Sequence, residues 1–197
     1  MSQDSKHQND NISFEVPIQG KIIIPDGLEH IGGPNAGVGG DVFLDHKNKR
    51  AYRRLDFARC PTDKEANIAD FYHKIEVSKR DSSGLTPHIY AYDPETYTLE
   101  MELIEGKNFC SSVQVTAGAA ERFLKKLSQF HQLDLYHGDL FTREHWILTP
   151  AGEIRIIDPI EMFTDDPNSG NTVESIQAID RGLAMERLRE VGYVPPG

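Results

Sequence analysis

The stretch His137-Gly138-Asp139-Leu140, with Ile156-Ile157-Asp158 further on, sets two carboxylates on either side of a predicted hairpin. Between them, Trp146 to Asp158 alternates short apolar runs around a Pro150-Ala151-Gly152 turn, as a loop and hairpin do. A helical pattern over Ala117 to Leu133 leads into the first aspartate, with Phe123, Leu124, Leu127, Phe130 and His131 on one face. Two acidic groups so placed can point into a single cleft. One is then positioned to orient a hydroxyl and accept its proton, and the other to hold Mg²⁺ on the β- and γ-phosphates of a nucleotide.

Working outward toward the N-terminus, the segment from Gly27 to Leu55 reads as three strands, over Leu28-Ile31, Asp41-Asp45 and Arg50-Leu55, with Lys21-Ile24 as a possible extra edge strand. The loop Gly32 to Gly40 holds five glycines in nine positions. Glycine lets backbone amides approach a polyphosphate and adopt positive φ at no steric cost. This loop lies between two predicted strands, unlike the strand-to-helix loop of a dinucleotide fold. A helix follows, capped by Thr62 or Asp63 and running to Ile75, with Ile68, Phe71, Tyr72 and Ile75 on one face. Glu65 falls near that inward edge, where a carboxylate needs a cationic partner.

A hairpin of His88-Tyr92 and Tyr97-Ile104 comes next, and the chain closes with a helix over Val173 to Glu190. Strands, helix, hairpin, helix, hairpin and helix in that order predict an α+β fold with two lobes. The expected division is a disordered tail over 1–11, a first lobe over 12–105 and a smaller second lobe over 106–197.

Composition narrows the function. The chain has 197 residues and a formal net charge of −10, which argues against nonspecific nucleic-acid binding through a basic face. No apolar run is long enough for a membrane span, and Met1 to Asn11 lacks the apolar core of a signal peptide. The chain is therefore expected in the cytoplasm, with export by a specialised route left open. Cys60 and Cys110 are far apart, without metal-ligand spacing, and read as reduced thiols.

In this order the motifs resemble the protein-kinase-like superfamily, from Gly32 to Asp158. The resemblance makes Gly37, Gly39, Gly40 and Val42 the nucleotide-covering loop and strand. It makes Arg53 the third-strand cation paired with Glu65, Met101 the gatekeeper, and the backbones of Glu102 and Ile104 the adenine contacts. His137-Gly138-Asp139-Leu140 is then the catalytic loop and Asp158 a metal ligand. Glycine within that loop, and Asp158-Pro159 after the strand, are similar to the atypical branch of aminoglycoside, fructosamine, RIO-type, KEOPS-type and lipopolysaccharide-core kinases. Only 39 residues follow Asp158, so the chain looks like a minimal kinase, comparable to short secreted bacterial effector kinases.

Two positions depart from the family pattern. Arginine stands at 53 (or 54, if the register slips) where the family has lysine, and its planar fork is not equivalent to a point ammonium. The family's second metal ligand falls on Glu144, with His145 beside it, and both stay candidates. What the resemblance implies is an ATP- and Mg²⁺-dependent serine/threonine-type phosphotransferase acting on a protein hydroxyl. A pseudokinase that binds nucleotide or protein, a sugar or lipopolysaccharide kinase, and an unrelated α+β interaction domain are the alternatives. Trp146 and His131 read as core residues, His137 as a support of the loop. Asp165-Asp166 reads as a solvated loop, and Arg181, Arg187 and Arg189 as a solvated face.

Overall fold

The computed structural model describes residues 16–31, 40–58, 64–110, 112–160, 162 and 170–195. Within them the fold is α+β, with a six-stranded mixed sheet, a three-stranded antiparallel sheet and three α-helices. The larger sheet contains β1 (Ile18–Gln19), β2 (Glu29–Ile31), β3 (Gly40–Asp45), β4 (Arg50–Leu55), β5 (Ile89–Asp93) and β6 (Thr98–Glu102). Its spatial order is β1-β5-β6-β4-β3-β2. The smaller sheet is β7 (Lys107–Asn108), β8 (Trp146–Leu148) and β9 (Ile154–Ile156). The helices are α1 (Lys64–Arg80), α2 (Ala117–Gln132) and α3 (Val173–Glu190).

Strand alternation sorts the large sheet into two faces. The register sets Val42 opposite Arg53 and Arg53 opposite Leu99, with Leu44, Ala51 and Met101 aligned one step along. Directly opposed residues share a face, so Arg53 stands on the same side as Leu99. That is the side on which Phe71 and Ile75 of α1 pack, forming a small core with Ile89 and Leu99. A larger core gathers Phe123, Leu127 and Phe130 of α2 with Trp146, Ile156 and Leu188. The expected edge strand at Lys21-Ile24 does not form. Instead Ile18 and Gln19 pair in parallel with β5, and the Ile22 amide donates to the Asp93 carboxylate at 3.3 Å.

The rotation of α1 is the main departure from the periodicity reading. Its buried residues are Asn67, Phe71, Lys74, Ile75, Val77 and Ser78, while Tyr72 is 47% exposed. At 3.6 residues per turn, Glu65 lies on the Tyr72 side and is exposed, and Lys74 takes the inward place expected for it. The caps predicted at Thr62 and Asp63, and Cys60, lie outside the described residues. Helical spacing of Ile176, Ile179, Leu183 and Leu188 predicts one apolar face for α3. Ile176 and Leu188 are buried, whereas Ile179 is 55% exposed and polar Gln177, Asp180 and Arg187 are buried as well.

Two contacts join the sheets. Gly106 sits where an added Cβ would fall 2.4 Å from the Leu148 carbonyl oxygen, so only glycine allows that close crossing. Arg155 of β9 forms a forked pair with Glu102 at the end of β6, at 3.2 and 2.8 Å, and also donates to the carbonyls of Leu85 and Thr86. Burial pushes the Glu102 carboxyl up, but the Arg155 hydrogen bonds and charge outweigh it and hold it below its ordinary value. Removing one partner leaves the other charge half-buried and unpaired. Arg155→Met should therefore lower stability by about 2–3 kcal/mol, read as a lower urea midpoint with an unchanged slope. An unshifted midpoint would mean that the pair does not couple the sheets.

Candidate active site

The segment that carries Asp158 is stitched to the loop that carries Asp139. The Ile157 amide donates to the His145 carbonyl at 2.9 Å, and the Ile160 amide donates to the His137 carbonyl at 2.9 Å. Two buried side chains brace the loop from below. Leu140 is fully buried, and Trp146, also fully buried, donates its indole N–H to the Leu140 carbonyl at 3.0 Å. Gly138 has φ of +80°, and an added Cβ would lie 2.9 Å from Met162 Cγ and 3.0 Å from Ile160 Cγ1. A larger side chain at this position would meet both a left-handed backbone and neighbours that must shift.

From α3, the fully buried Asp180 accepts from the amides of His137 at 2.7 Å and Gly138 at 3.2 Å. Arg187 donates to the Phe141 carbonyl at 2.7 Å and pairs with Glu190. It is thus a buried support of the loop and not part of a solvated face. His137 is held on both ring nitrogens. Its Nε2–H donates to the Ile157 carbonyl at 2.8 Å, and its Nδ1 accepts from the Asp139 amide at 3.3 Å. That pattern is the neutral ring. Burial drives its pKa down to about 4, the Asp180 charge opposing only in part.

Asp139 is oriented by its own loop. The Thr142 hydroxyl lies 2.9 and 2.8 Å from its two carboxylate oxygens, and the Thr142 amide donates at 3.3 Å. His145 then joins the two acids, with Nδ1 3.4 Å from Asp139 Oδ2 and Nε2 3.9 Å from Asp158 Oδ2. The carboxylates therefore face a common space, one imidazole apart.

Asp158 itself has φ of +63°, a left-handed backbone that aspartate tolerates better than most residues. Its other oxygen, Oδ1, meets two cations. Arg53 of β4 forms an ion pair with it, and Lys74 Nζ of α1 lies 3.1 Å away. Asp70 Oδ2, one turn earlier, is 3.9 Å from Lys74. Burial pushes the Asp158 carboxyl up, but Arg53 and then Lys74 and His145 hold it well below the usual carboxylate range. Burial pulls the Lys74 ammonium down, and Asp158 resists that.

The expected partner of Arg53 was Glu65. It is exposed in the first turn of α1, and the Arg53 guanidinium turns to Asp158 instead. Of the two candidates at the second metal position, Glu144 is exposed and hydrogen-bonded to Cys110, which lowers its pKa, so it points away from the carboxylates. His145 is the one between them. Gly37 and Gly39 lie outside the described residues, as do Asp165 and Asp166. Gly40 begins β3, where an added Cβ would lie 2.3 Å from the Arg54 carbonyl oxygen. Val42 and Met101 lie on the Arg53 face, while Glu102 spends its side chain on Arg155 and its amide on the His88 carbonyl at 2.7 Å. Ile104 follows β6 in the segment that leads to the smaller sheet.

Lys74, Thr142 and Asp180 were not among the expected site residues. Lys74 carried a signal, a lysine three residues after Phe71 on the same helix face. Asp180 lies one helical turn after the apolar Ile176, and that spacing was the signal it carried. A divalent ion fits this donor set at Asp158, since Mg²⁺ takes one or two carboxylates and completes its shell with water and phosphate oxygens. Imidazole is a poorer Mg²⁺ ligand, and among the described residues no group of three His, Cys, Asp or Glu side chains forms a metal cage. No protein-family model matches the chain, and no curated protein matches it either. No helix among the described residues is long and apolar enough to cross a membrane.

The neutral His137 makes stability depend on pH. Its folded pKa lies below the unfolded value of 6.5, so its contribution is complete above about pH 6.5. It is lost as pH falls toward about 4 while the unfolded chain takes up the proton. Urea midpoints should fall through that window, and less steeply in His137→Gln. A parallel decline in both proteins would assign the acid sensitivity to other groups.

Proposed function

We propose that this chain is a minimal phosphotransferase of protein-kinase-like fold, moving the γ-phosphoryl group of ATP to a hydroxyl. The observation that supports it is the approach of Asp139 and Asp158 to the two nitrogens of His145, beside two cations on a sheet face and a helix. In the transfer, the bond between the γ-phosphorus and the β–γ bridging oxygen breaks and a bond to the acceptor oxygen forms. ADP leaves, and the acceptor proton goes to Asp139.

Each residue has a role that follows from its place. Asp139, fixed by Thr142, orients the acceptor hydroxyl and takes its proton. Arg53 and Lys74, which neutralise Asp158 here, supply positive charge for the α- and β-phosphates. Asp158 would hold a Mg²⁺ ion, which would supply charge neutralisation at the γ-phosphoryl group. His145 holds the two acids at their spacing. The acceptor in this reading is a hydroxyl of a protein.

A second reading draws on one specific feature. Both cations already occupy Asp158, a self-satisfied arrangement that suits a nucleotide-binding module without turnover. Labelled ATP with Mg²⁺ separates the two. The phosphotransferase gives label on the chain itself or on an added protein acceptor, and Asp139→Asn lowers the rate by about 10²–10⁴-fold. ATP should raise the melting temperature of wild type and do so less in Lys74→Met. A nucleotide-dependent rise with no transfer, and with Asp139→Asn identical to wild type, would leave only the binding module.

A further inference from the structure

A cavity of about 480 Å³ lies away from the two aspartates. It lies behind the junction of the sheets, between the turn after α1, the ends of β5 and β6, α2 and the β8–β9 hairpin. We propose that it is a binding site for a neutral polyhydroxylated small molecule, of monosaccharide to disaccharide size.

The charges inside it are already matched. Asp81 accepts from the amides of Ser83, Leu85 and Thr86 and from the hydroxyls of Ser83 and Thr86, at 2.5 to 3.1 Å. Glu102 is forked onto Arg155, and Lys126 lies 3.4 Å from Glu153. A phosphate or carboxylate ligand would find each of these cations already facing a carboxylate and would have to compete with Glu102 or Glu153 for it. A neutral ligand breaks none.

What the walls still offer is short-range hydrogen bonding of both kinds. The Ser82 hydroxyl is at the exposed lip. Lys126 keeps donors beyond its bond to Glu153, and the Glu153 carboxylate keeps acceptor sites. Vicinal hydroxyls, each able to donate and accept, match such mixed walls. Tyr90 adds an aromatic side chain held in place by the Arg50 guanidinium, 3.4 Å from its ring centroid. The volume falls within the range of small-ligand sites. The walls come from both sheets, so an occupant would bridge them at the Arg155–Glu102 pair without touching Asp139 or Asp158.

The test needs no phosphotransfer and stands apart from the reading of the aspartates. Amide spectra of the ¹⁵N-labelled full chain would be recorded against glucose, N-acetylglucosamine, myo-inositol and trehalose, with inorganic phosphate as the charged comparison. The expected result is saturable movement of the Ser82–Gly84 and Tyr90 signals by at least one polyol, with a dissociation constant on the order of 1 mM. Ser82→Trp, which fills the lip from an exposed turn, and Lys126→Met should each weaken that binding tenfold or more. No movement at about 50 mM of every polyol would overturn the proposal. So would tighter binding of phosphate at the same signals, or polyol shifts that persist in both variants.

Discussion

Everything in the candidate site depends on one buried electrostatic balance around the Asp158 carboxylate. It sits at the end of a short strand in a left-handed backbone, with Arg53 from the sheet and Lys74 from α1 on one oxygen and His145 toward the other. Lys74 is only 6% exposed. Such a lysine is strongly disfavoured unless an anion stands against it. Burial pushes the acid's pKa up, and the cations outweigh it. Three elements distant in sequence are thereby drawn to one point.

The same logic extends outward through backbone groups. The loop around Asp139 contains little regular structure, so its amides and carbonyls need partners from elsewhere. Asp180 supplies acceptors for two amides, Trp146 and Arg187 supply donors for two carbonyls, and His137 takes one amide and serves one carbonyl. A loop held at this many points has little freedom to reposition Asp139. In the proposed transfer, this suits a carboxylate that would meet a hydroxyl with defined geometry.

Much of the fold was legible in the chain because period and turn chemistry agree. The paired strands of β3 and β4, the helix from Val173 to Glu190 and the hairpin delivering Asp158 follow directly from alternation, apolar spacing and glycine or proline turns. The spacing of Asp139 and Asp158 around that hairpin was legible for the same reason. The rotation of α1 was not. Ile68, Phe71, Tyr72 and Ile75 suggested one inward face. Phe71 and Ile75 are buried, but the helix also buries Asn67 and Lys74 and leaves Tyr72 half exposed, because Asp158 offers a partner that hydropathy does not register. Glu65 was displaced from the site by that rotation. Asp180 escaped notice for a related reason, since its value lies in backbone amides of a loop far away in sequence. The choice between Glu144 and His145 needed three dimensions, because a 3₁₀ turn over Arg143–His145 sends neighbouring side chains in different directions.

The most direct measurement of the central claim is paramagnetic broadening by Mn²⁺, a substitute for Mg²⁺, in the presence of ADP. In the ¹⁵N-labelled chain, the account predicts that the amide signals of Gly138, Asp139, His145 and Asp158 bleach together at substoichiometric Mn²⁺, and that Asp158→Asn abolishes this. Bleaching of Asp158 without Asp139, or a pattern unchanged in Asp158→Asn, would contradict a shared site for the two carboxylates.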